Sequence, residues 1–154
     1  MGIITLQKRP GIDGNGKWQA SFDIFERLLL LINQKEPPAG VVEKINAAIE
    51  YLNAFQGHDR DYMKALRKSQ FEILSFLEKD LKWVPVNYYR NRWLALGMAV
   101  FGIPLGVAMG LSLGSMAFIG IGLPFGIAIG IAIGTDMDKK AKAAGKQLDI
   151  DIKS

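Results

Sequence analysis

The chain has 154 residues, a formal net charge of +4 and no cysteine, a length that suits one domain or a small domain carrying a membrane anchor. Without cysteine, disulfides, thiol catalysis and thiolate metal sites are excluded. The 13 Lys/Arg and 11 Asp/Glu of residues 1–91 nearly balance and lack the clustered basic face of a nucleic-acid binder.

Residues 1–20 read as an N-terminal arm, with Ile3–Leu6 as a short strand or a loose segment. Gln7, Lys8 and Arg9 follow the apolar start directly, so no signal-peptide core is expected. Leu6 stands where the myristoylation pattern wants Ser or Thr. Asp13-Gly14-Asn15-Gly16-Lys17 begins like a calcium loop, but Trp18 replaces the required sixth-position Gly and Ile24 the twelfth-position Glu. It reads as a turn.

Residues 21–84 read as a cytosolic three-helix region. Ser21 is the expected cap of a helix over Phe22–Lys35, with Asp23 and Glu26 in its first turns. The centre, Leu28 to Ile32, is apolar on all sides and implies burial against other helices or shallow membrane contact. Pro37-Pro38-Ala39-Gly40 breaks the chain. Val41, Val42, Ile45, Ile49, Leu52 and Phe55 then recur at helical spacing, and Gly57 ends that segment. Asp59 is the expected cap of a third helix carrying Tyr62, Met63, Leu66, Ile73, Leu74, Leu77 and Leu81. Pro85 stops it near Trp83. Lys64, Arg67 and Lys68 form one small basic cluster, read as a solvated helix face or a lipid-headgroup contact. Residues 85–92 read as a juxtamembrane linker.

From Trp93 to Thr135, 43 residues pass without Asp, Glu, Lys, Arg or His. A bilayer core needs about 20 apolar residues per spanning helix, so residues 93–135 predict a transmembrane helical hairpin with spans 93–114 and 116–135. Its entry, Tyr88-Tyr89-Arg90-Asn91-Arg92-Trp93, mixes aromatic and basic residues as interfacial anchors do, and Arg90 and Arg92 suit anionic headgroups. Lys139 and Lys140 open a basic tail over 136–154. Positive flanks on both sides of an uncharged turn place both termini in the cytoplasm.

The hairpin contains a repeat. Residues 102–114 read GIPLGVAMGLSLG and residues 122–134 read GLPFGIAIGIAIG. At an offset of 20, Gly102, Gly106, Gly110 and Gly114 fall on Gly122, Gly126, Gly130 and Gly134, Pro104 on Pro124, and Ala108 on Ala128. Residues four apart advance by about 400°, so each glycine set forms one slightly drifting groove, the form in which helices associate closely in lipid. Pro104, Ala108 and Ser112, with Pro124, Ala128 and Ala132, form a second thin face opposite. One face suffices to close the hairpin, and the other is free for another copy, which gives the expectation of a homo-oligomeric ring. A membrane β-barrel is the competing pattern, but prolines at the small positions would remove ladder bonds, and the alternation of lipid-facing apolar with lumen-facing polar residues is missing. The plain alternative is glycine packing within a simple membrane anchor.

The two GxxxGxxxGxxxG runs resemble those of glycine-zipper membrane proteins, and residues 88–146 resemble two-span bacterial inner-membrane proteins of unassigned activity. The resemblance implies an all-α membrane protein in which glycine-zipper packing joins the spans. The glycine rows are also similar to the inner helices of rotary ATP synthase c-subunits, which need a membrane carboxylate that residues 93–135 lack. Their Gly/Ala alternation is similar to the pore helix of small-conductance mechanosensitive channels, without any further domain of that family.

No catalytic set, metal site or cofactor-binding motif is expected. His58 is the single histidine and a metal site needs further ligands. No serine has a nucleophile-elbow setting, and the glycines lack the strand–turn–helix context of a phosphate loop. The expectation is a non-enzymatic, homo-oligomeric assembly in the bacterial inner membrane. It forms or gates a pore, or perturbs the membrane, under control of its cytosolic helices. Its partners are itself, membrane lipid and an unidentified cytosolic protein, with no nucleic acid. The alternative is a non-conducting anchor or scaffold that recruits a cytosolic partner.

Overall fold

A computed structural model describes residues 2–152. The protein is helical and divides into two compact units, one of residues 2–84 with 148–152 and one of residues 85–147. The chain passes between them at Val84–Pro85 (β1) and Gln147–Leu148 (β2), two short strands that pair side by side.

The first unit holds α1 (Gly16–Gln34), α2 (Ala39–Asn53) and α3 (Asp59–Leu81). Its core takes Phe25, Leu28 and Ile32 from α1, Ile45, Ile49 and Leu52 from α2, and Tyr62, Leu66, Ile73 and Leu77 from α3, all almost fully buried. In α2 and α3 these are the stripes expected at helical spacing, and burial on one face holds short helices that would be marginal alone. The Leu28–Ile32 run is partly split. Leu28, Leu29 and Ile32 are buried, whereas Leu30 is 59% exposed.

The first helix starts earlier than Ser21. The Asn15 side chain accepts hydrogen bonds from Lys17 N at 3.1 Å and Trp18 N at 3.3 Å, so the Asp13–Lys17 turn contains an N-cap. Ser21 Oγ instead donates to Lys17 O inside the helix. His58, without a side-chain cap bond, precedes α3, and Asp59 is its first residue.

The arm is extended and held in place. Asn46 Oδ1 accepts from Ile4 N at 2.9 Å while Asn46 Nδ2 donates to Gly2 O. One step on, Asn53 Oδ1 accepts from Gln7 N at 2.8 Å while Asn53 Nδ2 donates to Thr5 O. The two asparagines are seven apart on α2, about 10.5 Å of helix, and the backbone groups they bind are three apart, about 10 Å of extended chain. Each amide thereby substitutes for a neighbouring strand. Leu6 enters the core, and Arg9 closes the arm with bonds to Gly57 O and Phe55 O, an ion pair to Asp59, and its guanidinium over the Phe55 and Tyr62 rings.

The C-terminal segment, read as a basic tail over 136–154, has two parts. Residues 136–143 continue the last helix, and Leu148 and Ile150 are buried in the first unit's core. Alternation of Leu148, Ile150 and Ile152 with Asp149 and Asp151 supplies the apolar side. The first unit is therefore discontinuous in sequence.

Replacing Asn46 by Ala removes both arm bonds at that step and is expected to destabilise the first unit by about 1–2 kcal/mol, with faster hydrogen exchange at Ile4 and unchanged exchange in mid-α3. Tyr62 is 1% exposed and its hydroxyl lacks a partner among the described residues. Burial raises its pKa above the ordinary 10.0, against the opposing charge of Arg9. In the unfolded chain the phenol ionises first, so this stability is complete below pH 10 and falls as pH rises toward the folded value. Tyr62→Phe should flatten the alkaline fall in denaturation midpoint at little cost near neutrality.

Candidate functional site

The second unit is a helical hairpin. Its first helix, α4 (Tyr88–Leu113), contains a π-helical turn at Met98–Gly102, and its second, α5, is Ile119–Ala143. Both are long and apolar enough to cross a membrane. They extend past the predicted spans, α4 backward through residues 88–92 and α5 forward through Lys139 and Lys140.

Gly114 ends α4 in the left-handed region at φ +72°, and Ser115 N donates to Gly110 O, five residues back. This is the glycine-terminated close that a non-glycine residue adopts only with strain. A 3-10 turn at Met116–Phe118 leads into α5.

The helices meet backbone to backbone. A Cβ placed on Gly126 would lie 2.6 Å from Gly102 N and 2.7 Å from Gly102 Cα, and one on Gly122 would lie 2.6 Å from Gly106 Cα. Added at Gly106 it would lie 2.6 Å from Ile119 Cα, and at Gly134 2.5 Å from Arg90 Cα. At Gly130 it would strike the Trp93 carbonyl, and at Gly97 the Gly126 carbonyl. A side chain at any of these positions would strike the facing backbone, whereas at Gly102 the nearest atom, Leu123 Cα, would lie 3.2 Å away.

On α4 the seam runs through Arg90, Trp93/Leu94, Gly97, Gly102 and Gly106, with Gly110 also buried. Gly97 lies outside the repeat, five residues before Gly102. In a regular α-helix, residues five apart are about 140° out of line. The π turn removes that offset: Ile103 N–H donates to Met98 O, five residues back, and Gly97 joins the row. Such single-turn bulges concentrate at functional positions. Gly114, by contrast, is exposed with open space around it.

On α5 the row is Gly122, Gly126, Gly130 and Gly134, all buried. One more step of four reaches Asp138, 7% exposed. Its carboxylate accepts from Tyr89 N at 3.0 Å and Arg90 N at 2.9 Å. These are amides of the first turn of α4, which has no side-chain cap of its own. Asp138 thus caps α4 from the neighbouring helix, with negative charge against the positive helix end. The cue was the row itself, continued one step beyond the last glycine.

The second thin face is solvent-accessible: Pro104, Ala108, Ser112, Pro124, Ala128 and Ala132 are exposed. Large apolar side chains flank it, with Leu105, Leu111 and Phe125 at 44%, 69% and 58% exposure. Ser112 Oγ donates to Ala108 O in its own helix. At the entry, the Tyr88 and Tyr89 rings pack edge to face, and Arg92 donates to Tyr88 Oη. Arg90 and Arg92 are exposed and Trp93 is half-buried. Lys139 is exposed, and Lys140 pairs with Asp136 at 2.7 Å. Among the described residues no group of His, Cys, Asp or Glu is arranged to hold a metal.

Two glycines two residues apart give a direct contrast. Gly120→Ala meets open space and should leave hairpin stability in detergent unchanged. Gly122→Ala should lower resistance to unfolding in mixed micelles by about 1–3 kcal/mol, through forced separation of the helices. Asp138→Ala should speed hydrogen exchange at Tyr89 and Arg90 selectively, and Asp138→Asn, which keeps one acceptor, should lie between it and the parent. No protein-family model, curated protein or solved structure matches this chain.

Proposed function

We propose that this protein is a non-enzymatic integral membrane protein. Its glycine-zipper hairpin is the repeating subunit of a homo-oligomer in a bacterial inner membrane, with both termini cytoplasmic. Exposed apolar surface on α4 and α5 supports the membrane setting, since contiguous apolar surface on this scale is uncharacteristic of a soluble monomer. The first unit contains chain from both ends of the hairpin, a topology that suits two spans and argues for both ends leaving by the same membrane face. The lysines after α5 favour the cytoplasmic face.

The observation that carries self-association is the second small face. Pro104, Ala108 and Ser112 on α4, with Ala128 and Ala132 on α5, lie exposed while the glycine face is filled within the chain. Small residues give close approach between helices in lipid, and a second copy supplies the matching surface. The assembly so formed perturbs the bilayer or encloses an apolar pore gated by dewetting, under control of the first unit. The alternative is a non-conducting anchor that recruits a cytosolic partner. It is favoured by the filling of both glycine rows inside one hairpin, which leaves a complete subunit without further copies.

The two faces separate by mutation. Ala108→Leu with Ala128→Leu should abolish oligomers in native mass spectrometry of detergent-purified protein while the hairpin stays folded. Gly126→Leu should open the hairpin itself. A parent protein that is monomeric, with Ala108→Leu and Ala128→Leu silent, leaves the anchor reading.

A further inference from the structure

Helix α3 has an outer face that the core does not use. Arg60, Lys64, Arg67 and Phe71 follow at spacings of four, three and four, with Lys68 beside Arg67 and four residues after Lys64, and all are exposed on one side of the helix. Phe71 is 71% exposed, the most exposed of the large apolar side chains in the first unit. The carboxylates beside the stripe are weakly engaged: Lys64 meets Asp61 at 3.0 Å and Lys68 meets Glu72 at 3.8 Å, with all four side chains more than half exposed. Exposed pairs of this kind exchange readily and are screened by salt. Arg67 has no ion-pair partner among the described residues. Lys68 also lines a shallow groove of about 360 Å³ between α2 and α3, together with Lys44, Tyr51, the buried Ser69 and Glu72.

Four Lys/Arg clustered on one exposed helix face, close in sequence to a membrane-crossing helix, are the pattern of a surface that binds anionic lipid. The covalent arrangement raises its chance of meeting a bilayer. Only six residues separate Leu81, the end of α3, from Tyr88, the start of the hairpin, and so short a tether gives a high effective concentration of bilayer. We infer that the Arg60–Lys64–Arg67–Lys68–Phe71 face of α3 docks on anionic lipid, with Phe71 inserted among the headgroups. This rests on the membrane reading above and is independent of copy number. Each basic residue near an anionic leaflet favours the docked state about fivefold, and the attraction decays within a Debye length of roughly 10 Å at 0.1 M salt.

The cysteine-free chain permits single-site labelling. Phe71→Cys and, as a control on α1, Glu26→Cys carry an environment-sensitive NBD label in the full chain reconstituted into vesicles. The expected result is a blue-shifted label at position 71, quenched by doxyl-lipids, in vesicles containing phosphatidylglycerol. It should revert toward the aqueous spectrum at high salt, in all-phosphatidylcholine vesicles, and after Arg67→Glu with Lys68→Glu. Label 26 should read water throughout. An aqueous label 71 in anionic vesicles overturns the inference, as does immersion indifferent to salt, lipid charge and charge reversal. Extraction of the chain by alkaline carbonate would instead sink the membrane reading, so the two failures are distinguishable.

Discussion

Contact of one helix backbone with another is the constraint on which the hairpin depends. In lipid, apolar side chains gain little by leaving the solvent for each other, so association relies on close packing and on groups that must be satisfied. The seam between α4 and α5 is close because glycines on one helix face glycines or main chain on the other. Any side chain at Gly106, Gly122 or Gly126 separates the whole pair, whereas one at Gly120 meets nothing. The tolerance of each position is set by geometry rather than by residue type.

Two devices keep the seam continuous. The π turn at Met98–Gly102 absorbs one extra residue and returns Gly97 to the row. Asp138 continues the row where α5 leaves its apolar stretch and replaces backbone contact with a pair of hydrogen bonds to the first turn of α4. The seam is apolar in its middle and ends on a charge-assisted cap.

Much of the fold was legible in the sequence because it is local. The apolar positions of α2, from Val41 to Leu52, are buried as their spacing required, and Tyr62, Met63, Leu66, Ile73 and Leu77 of α3 likewise. The uncharged stretch and its repeat located the two apolar helices. What remained illegible is non-local. Asn46 and Asn53 read as ordinary polar helix residues until the extended arm lies against them. Asn15 caps α1 from a turn that looked like a failed metal loop. Gly97 falls outside a spacing of four, and a π turn has no cue in hydropathy. Leu148 and Ile150 follow a charged segment and read as tail, yet they complete a core that begins at the other end of the chain.

The first unit closes only when its C-terminal segment returns, so its core is complete only after both hairpin helices have been made. Arm, three helices and returning segment share one apolar interior. The closest test of the central claim is a carbon–carbon correlation spectrum of the full chain in lipid bilayers, labelled with carbon-13 at glycine Cα and diluted with unlabelled protein to keep contacts within one molecule. Cross-peaks linking Gly102 with Gly126, Gly106 with Gly122, and Gly97 with Gly130 are expected. Their absence, or cross-peaks that place Gly114 in the seam and leave Gly97 out, would contradict that claim.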